Sequence, residues 1–142
     1  MSDPQCGFRL LEHPSDLGIE AWGITMAEVF RQSALGLMSI LVDRDSVELH
    51  GKHAVRITGR DRESLLVRWL SEILYLYDGE HFITAEVEIQ DIEEMSVRAL
   101  LGGEHIGTQK HRLRTDVKAV TYHQLAMKED AGRIVARVFL DI

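Results

Sequence analysis

The 142-residue chain has one cysteine, two prolines and no long apolar run, and each scarcity excludes something. A lone Cys6 cannot close an internal disulfide, which suits a reducing compartment. Pro4 and Pro14 both stand near the start, and no low-complexity linker or internal repeat divides the rest of the chain. The longest apolar stretch, residues 65–77, is broken by Arg68, Ser71 and Glu72 at helical spacing. It falls short of the ~18 residues that a membrane span requires. The first residues lack a basic segment followed by an apolar core, so no signal peptide is expected. Basic residues are also scarce, 16 against 23 acidic, for a formal charge of −7. A protein whose main task is to grip phosphate backbones needs a basic surface. A free nucleic-acid binder is therefore disfavoured, while work beside RNA through a partner stays open. A soluble, cytoplasmic protein without a membrane partner is expected.

What is present suits a globular domain. Hydrophobic residues make up 45% and charged residues 27%, too balanced for wholesale disorder. The length fits a single domain over residues 1–142, with 1–7 as a loose tail, and can bury a core without a metal or disulfide staple. Residues 8–12 and 17–23 read as strands. Thr25 and Glu28 have the spacing of a capping box before a helix reaching about Leu41, whose stripe is Met26, Phe30, Ala34, Leu37, Met38 and Leu41. Gly36 either weakens that helix or permits close packing. Residues 46–59 alternate well enough for one or two strands, with Gly51 and Lys52 as a turn. Asp61 can cap a second helix carrying Leu66, Trp69, Leu70, Ile73, Leu74 and Tyr77, ended by Asp78 and Gly79. Strict alternation then marks strands around Ile83 to Ile89, Met95 to Leu101 and Ile134 to Leu140, with another over 117–127. Short turns imply antiparallel pairing, so the fold expected is α+β: mostly antiparallel sheet packed with two main helices.

Familiar catalytic signatures are missing. There is no phosphate-binding loop, dinucleotide fingerprint, zinc-type Cys/His spacing or nucleophile elbow. Three places remain. In His13-Pro14-Ser15-Asp16-Leu17-Gly18, Pro14 biases His13 toward an extended backbone and Gly18 allows close approach. Asp16 at a strand entrance can be a functional carboxylate or simply cap a turn. In Lys118-Ala119-Val120-Thr121-Tyr122-His123, alternation sets Thr121 and His123 on one face and Lys118 and Tyr122 on the other. That pairing offers ligands or proton carriers, or a histidine making one structural hydrogen bond. In Phe139-Leu140-Asp141-Ile142 a strand pattern runs to the last residue and holds a carboxylate there. Two aspartates and a backbone carbonyl are hard oxygen donors, suited to calcium, magnesium or manganese rather than zinc. Nothing in the sequence brings Asp16 and Asp141 together. His50, His53, His81, His105 and His111 take solvated or structural roles by default. Lys110, His111, Arg112, Arg114 and Lys118 form a local basic cluster, either a contact patch or a charged edge strand.

These residues match a known pattern. His13-Pro14-Ser15-Asp16-Leu17-Gly18-Ile19-Glu20-Ala21-Trp22-Gly23 resembles the opening motif of the archease family. Ala119-Val120-Thr121-Tyr122-His123 resembles its second signature and Leu140-Asp141-Ile142 its third. Order, spacing and length agree over nearly the whole chain; Pro14 and Ser15 replace the usual Thr-Ala. The resemblance implies a helper rather than an enzyme: the activator of a GTP-dependent RNA ligase of the RtcB type, promoting guanylylation and multiple turnover in tRNA splicing. It implies a divalent metal on Asp16, Asp141 and the carbonyl of Ile142, calcium in isolation, with magnesium or manganese as alternatives. His13, Lys118, Thr121, Tyr122 and His123 are then supporting or partner-facing, and RNA is met only through the ligase. The alternatives are a chaperone or adaptor for a tRNA methyltransferase, and a small metal-dependent phosphohydrolase built on Asp16, Asp141 and His123.

Overall fold

A computed structural model describes residues 5–12, 16–107 and 110–142. Seven strands and two α-helices follow one another as β1 (Gly7–Glu12), β2 (Leu17–Gly23), α1 (Met26–Leu41), β3 (Gly51–Thr58), α2 (Arg62–Asp78), β4 (Phe82–Ile92), β5 (Ser96–His105), β6 (Ala119–Asp130) and β7 (Arg133–Asp141). Pairing is antiparallel throughout these strands, as the short connections imply. The strands divide into two sheets, ordered β1-β2-β7-β6 and β3-β5-β4. The fold is α+β, as expected.

Both helices serve both sheets. The first, α1, packs on β1, β2 and β7 and also on β4; α2 packs on β6 and on β3, β4 and β5. Residues 32–38 of α1 are therefore all buried, polar Gln32 and Ser33 included. Gly36 permits this: a Cβ there would stand 2.8 Å from Ile19 and 3.2 Å from Phe8. Trp69 of α2 lies in the same core, its indole N–H donating to the Phe30 carbonyl at 2.9 Å, so the largest buried side chain leaves no orphan donor. Both N-caps are where they were expected, but the Thr25–Glu28 box is only half made, with no return bond from the Glu28 side chain. Thr25 accepts from the Glu28 N–H at 3.2 Å. At α2, Asp61 accepts from the Ser64 N–H at 2.8 Å while Ser64 Oγ accepts from the Asp61 N–H, a complete capping box.

Three expectations need correction. Gly51 and Lys52 are not a turn; they open β3 opposite Gly103 and Gly102, and the preceding chain forms a 3-10 turn at Arg44–Ser46. The alternation of β4 is not strict, because register shifts at Thr84/Glu86 and Ile89/Asp91 turn Phe82, Ile83 and Thr84 all inward. Residues 110–114 form no edge strand: Leu113 bridges Val42, and the backbone N–H groups of Arg114 and Thr115 donate to Leu41 and Ile40. This crossing segment carries the chain from one sheet to the other over the end of α1. The last hairpin turns through Ala131 (φ 55°) and Gly132 (φ 80°), the left-handed pair that a two-residue connection requires.

Candidate functional site

The two aspartates singled out from sequence stand at the same end of the four-stranded sheet, Asp16 just before β2 and Asp141 closing β7. Leu17 of β2 pairs with Leu140 of β7, so one further step of the ladder sets Asp16 beside Asp141. Side chains alternate across a sheet, and Leu140 is buried while Asp141 is exposed, so the Asp141 carboxylate turns away from the core; Asp16 is half-buried. The strands approach closely here because Gly18 lacks a Cβ, which would lie 2.8 Å from the Phe139 ring. The end of β7 is tied down rather than frayed. Asp141 pairs with Ala119 of β6, and its carbonyl accepts the Lys118 N–H at 2.7 Å. Ile142 follows, 47% exposed. Among the described residues, the candidate donors at this end, Asp16, Asp141 and the Ile142 carbonyl, are oxygens, which fits a hard divalent cation. Among the described residues, no three His, Cys, Asp or Glu side chains converge as a metal site. Two carboxylates would thus need a backbone carbonyl, water or a partner to complete the shell. His13, with Pro14 and Ser15, lies outside the described residues.

The second motif divides its roles. Thr121 is structural: its hydroxyl donates to the Phe139 carbonyl at 3.0 Å and accepts the His123 N–H at 3.2 Å. The β6–β7 register then jumps from Thr121/Phe139 to Ala126/Arg137, leaving 122–125 as a bulge with Gln124 at φ 54°. Tyr122 and His123 are presented to solvent on it. His123 is therefore not joined to Asp16 and Asp141, and the three-residue hydrolytic site is not assembled.

The strongest electrostatics lie elsewhere, where sequence reading missed them. Glu104 is buried and accepts the Glu48 N–H (2.6 Å), Lys110 Nζ (2.9 Å) and His111 Nε2 (2.9 Å). Those three, the backbone N–H first, hold its carboxyl at about 2. His111 Nδ1 accepts the Gly107 N–H at 2.7 Å, which leaves Nε2 to donate. Two members of the basic cluster are thus spent on one carboxylate. At Glu20, burial pushes the pKa up, but hydrogen bonds from Arg137 and Arg9 outweigh it and leave the carboxylate below its ordinary value. The signal for the first network was a histidine beside a lysine, and nothing local named its partner 7 residues away in β5.

A family model described as the Archease protein family (MTH1598/TM1083) matches residues 8–142. The protein archease of Methanosarcina mazei is 37% identical over 139 residues, covering 95% of each chain. That of Sulfolobus acidocaldarius is 30% identical, over 95% of this chain and 98% of its own. The solution structure of Methanobacterium thermoautotrophicum protein 1598 superposes with a TM-score of 0.80 at 33% identity, covering 96% of this chain and 99% of that one. The crystal structure of an archease, possible chaperone, from Thermotoga maritima shares the fold, with a TM-score of 0.66 at 17% identity over 100% and 98% of the two chains. No described helix is long and apolar enough to cross a membrane. On the match over residues 8–142 and the full-length relatives, this chain belongs to the archease family.

Proposed function

We propose that the chain is a non-catalytic activator of a GTP-dependent RNA ligase of the RtcB type, acting in tRNA splicing and RNA repair. The observation that supports this is the β2–β7 register, which sets Asp16 beside Asp141 at an exposed sheet end. Asp16, Asp141 and the Ile142 carbonyl would hold a divalent cation there, calcium in isolation, with magnesium or manganese as alternatives. Bound in this way, the ion supplies charge neutralisation for phosphoryl chemistry. The chain's own part is to present two carboxylates on a strand end stiffened by the Lys118–Asp141 bond, and to fit them to the ligase active site during guanylylation. Among the described residues, no three His, Cys, Asp or Glu side chains converge there.

The test is ligase turnover with GTP and manganese, in the presence of the wild type, Asp16→Ala or Asp141→Ala. Stimulation should fall to the level of ligase alone in both variants while their circular dichroism stays native. Undiminished stimulation by folded variants overturns the reading. A second reading, an adaptor for a tRNA methyltransferase, draws on the Thermotoga relative being called a possible chaperone. Affinity capture from the native cytoplasm separates the two by which enzyme is retained.

A further inference from the structure

We propose that a groove along the exposed face of α2 binds single-stranded RNA directly, its first phosphate held between Arg60 and Arg68 and a base stacked on Tyr122. This goes beyond ligase activation and reverses the expectation that RNA is met only through the ligase.

The argument begins at a cavity of about 210 Å³ lined by Arg60, Ser64, Arg68 and Tyr122, with no carboxylate in its wall. Arg68 is already oriented: one guanidinium N–H donates to the Thr58 carbonyl at 3.0 Å. A guanidinium has five N–H donors in a fork that matches phosphate oxygens, so most of its donors stay available. Arg60 is held by its backbone, whose N–H donates to Ser64 Oγ at 2.8 Å. Neither arginine enters an ion pair among the described residues, although acidic residues exceed basic ones by 23 to 16. Two unpaired guanidinium groups facing one cavity repel each other unless an anion lies between them.

Tyr122 supplies an independent observation. It projects from the β6 bulge, where Gln124 adopts a left-handed backbone. Such a conformation costs about 1–3 kcal/mol and persists where the surroundings or a function demand it. The bulge is anchored by the Thr121 hydroxyl, which accepts the His123 N–H, and by Leu125 packed on the core, while Tyr122 is left 56% exposed. The bulge presents the ring instead of burying it. A half-exposed ring beside arginines is the composition that stacks bases next to a bound backbone.

The pattern then repeats, and this favours a strand over a single anion. A second depression of about 370 Å³ shares Arg68 with this cavity and adds Arg56 and Tyr75. Tyr75 is also 56% exposed, and lies about 10 Å along the helix from Arg68 at 1.5 Å per residue. Glu72 is the one carboxylate lining these two depressions. A third, about 280 Å³, shares Tyr75 and reaches Lys118 and Ala119, but Asp78 also lines it, so the cationic stretch is confined to the first two. Cation and ring thus recur over the first two depressions, Arg60, Arg68 and Tyr122 in one and Arg56, Arg68 and Tyr75 in the other.

Fluorescence anisotropy of a labelled single-stranded uridine oligonucleotide, without ligase, tests the proposal. Given the overall charge, the dissociation constant should be weak, on the order of 10–100 µM at low salt, and the affinity should fall with log salt. Arg60→Ala, whose side chain carries no structural bond, should lower both the affinity and the salt slope, the latter by about 0.7. Tyr122→Ala should weaken binding about tenfold at constant slope, the loss of one stacked base. Tyr122→Phe should retain it. The assay contains no ligase, so its outcome is read separately from that of ligase stimulation. Absence of binding at low salt, binding indifferent to Arg60→Ala, or competition by inorganic phosphate or GTP as effective as by the oligonucleotide each overturns the assignment.

Discussion

Glu104 shows what one buried carboxylate does when three donors converge on it. Its carboxyl titrates near 2 instead of the ordinary 4.5, because a backbone N–H, an ammonium and an imidazole all favour the charged form. A group depressed on folding stabilises the native state above its unfolded value and loses that contribution as pH falls toward the folded one. Urea midpoints should therefore drop between about pH 4.5 and 2 more steeply in the wild type than in Glu104→Gln. The variant, unable to ionise, is weaker at neutral pH and flatter in acid. Parallel pH profiles would show that Glu104 does not anchor the loop. The same network explains the fate of a sequence feature. Lys110 and His111 looked like part of a basic patch, yet both donate to Glu104.

At the scale of elements, the start of α2 joins stability to the arginine groove. Asp61 and Ser64 satisfy each other's backbone donors, and the same turn shapes the cavity between Arg60 and Arg68. Asp61→Ala should cost about 1–2 kcal/mol, the usual loss of an N-cap, read as a lower urea midpoint at unchanged slope. Both helix starts were legible because caps are local: a side-chain oxygen needs only a donor three residues on. The interruptions of β4 and β6 were not legible. A bulge inserts residues against a partner strand, and alternation within one strand carries no count of the residues opposite it. Hence His123 seemed to share a face with Thr121, whereas the bulge turns it out to solvent.

For the whole molecule, the division into two sheets matters most. Two helices shared by both sheets make one core from Ile19 to Leu140, so changes at the aspartate end register in global unfolding. A cation that binds only the folded chain stabilises it by RT ln(1 + [L]/Kd), about 2.7 kcal/mol at a hundredfold excess over Kd. Calcium should accordingly raise the unfolding temperature of the wild type, and chelation should return it. In Asp16→Asn with Asp141→Asn the calcium shift should vanish. That double variant should also be no less stable than the chelated wild type, since it removes two like charges on neighbouring strands. A calcium shift that survives the double substitution would locate the ion elsewhere. The negative charge of the chain is a global property and says little about any one face. Among the described residues, the arginines of the α2 groove enter no ion pair, within an acidic molecule.

By itself the sequence determined the helices, their caps, most strands and the three motifs, because periodicity and capping depend on neighbours within a few residues. It also marked Asp16 and Asp141 as separate carboxylates of interest. Only the tertiary structure decided that they are adjacent. They are 125 residues apart in the chain, and pairing between β2 and β7 is set by which strand pattern fits which neighbour across the whole sheet. The groove of Arg56, Arg60, Arg68, Tyr75 and Tyr122 was hidden for the same reason. Its walls come from a strand, a helix and a bulge that meet only when both sheets close around α2.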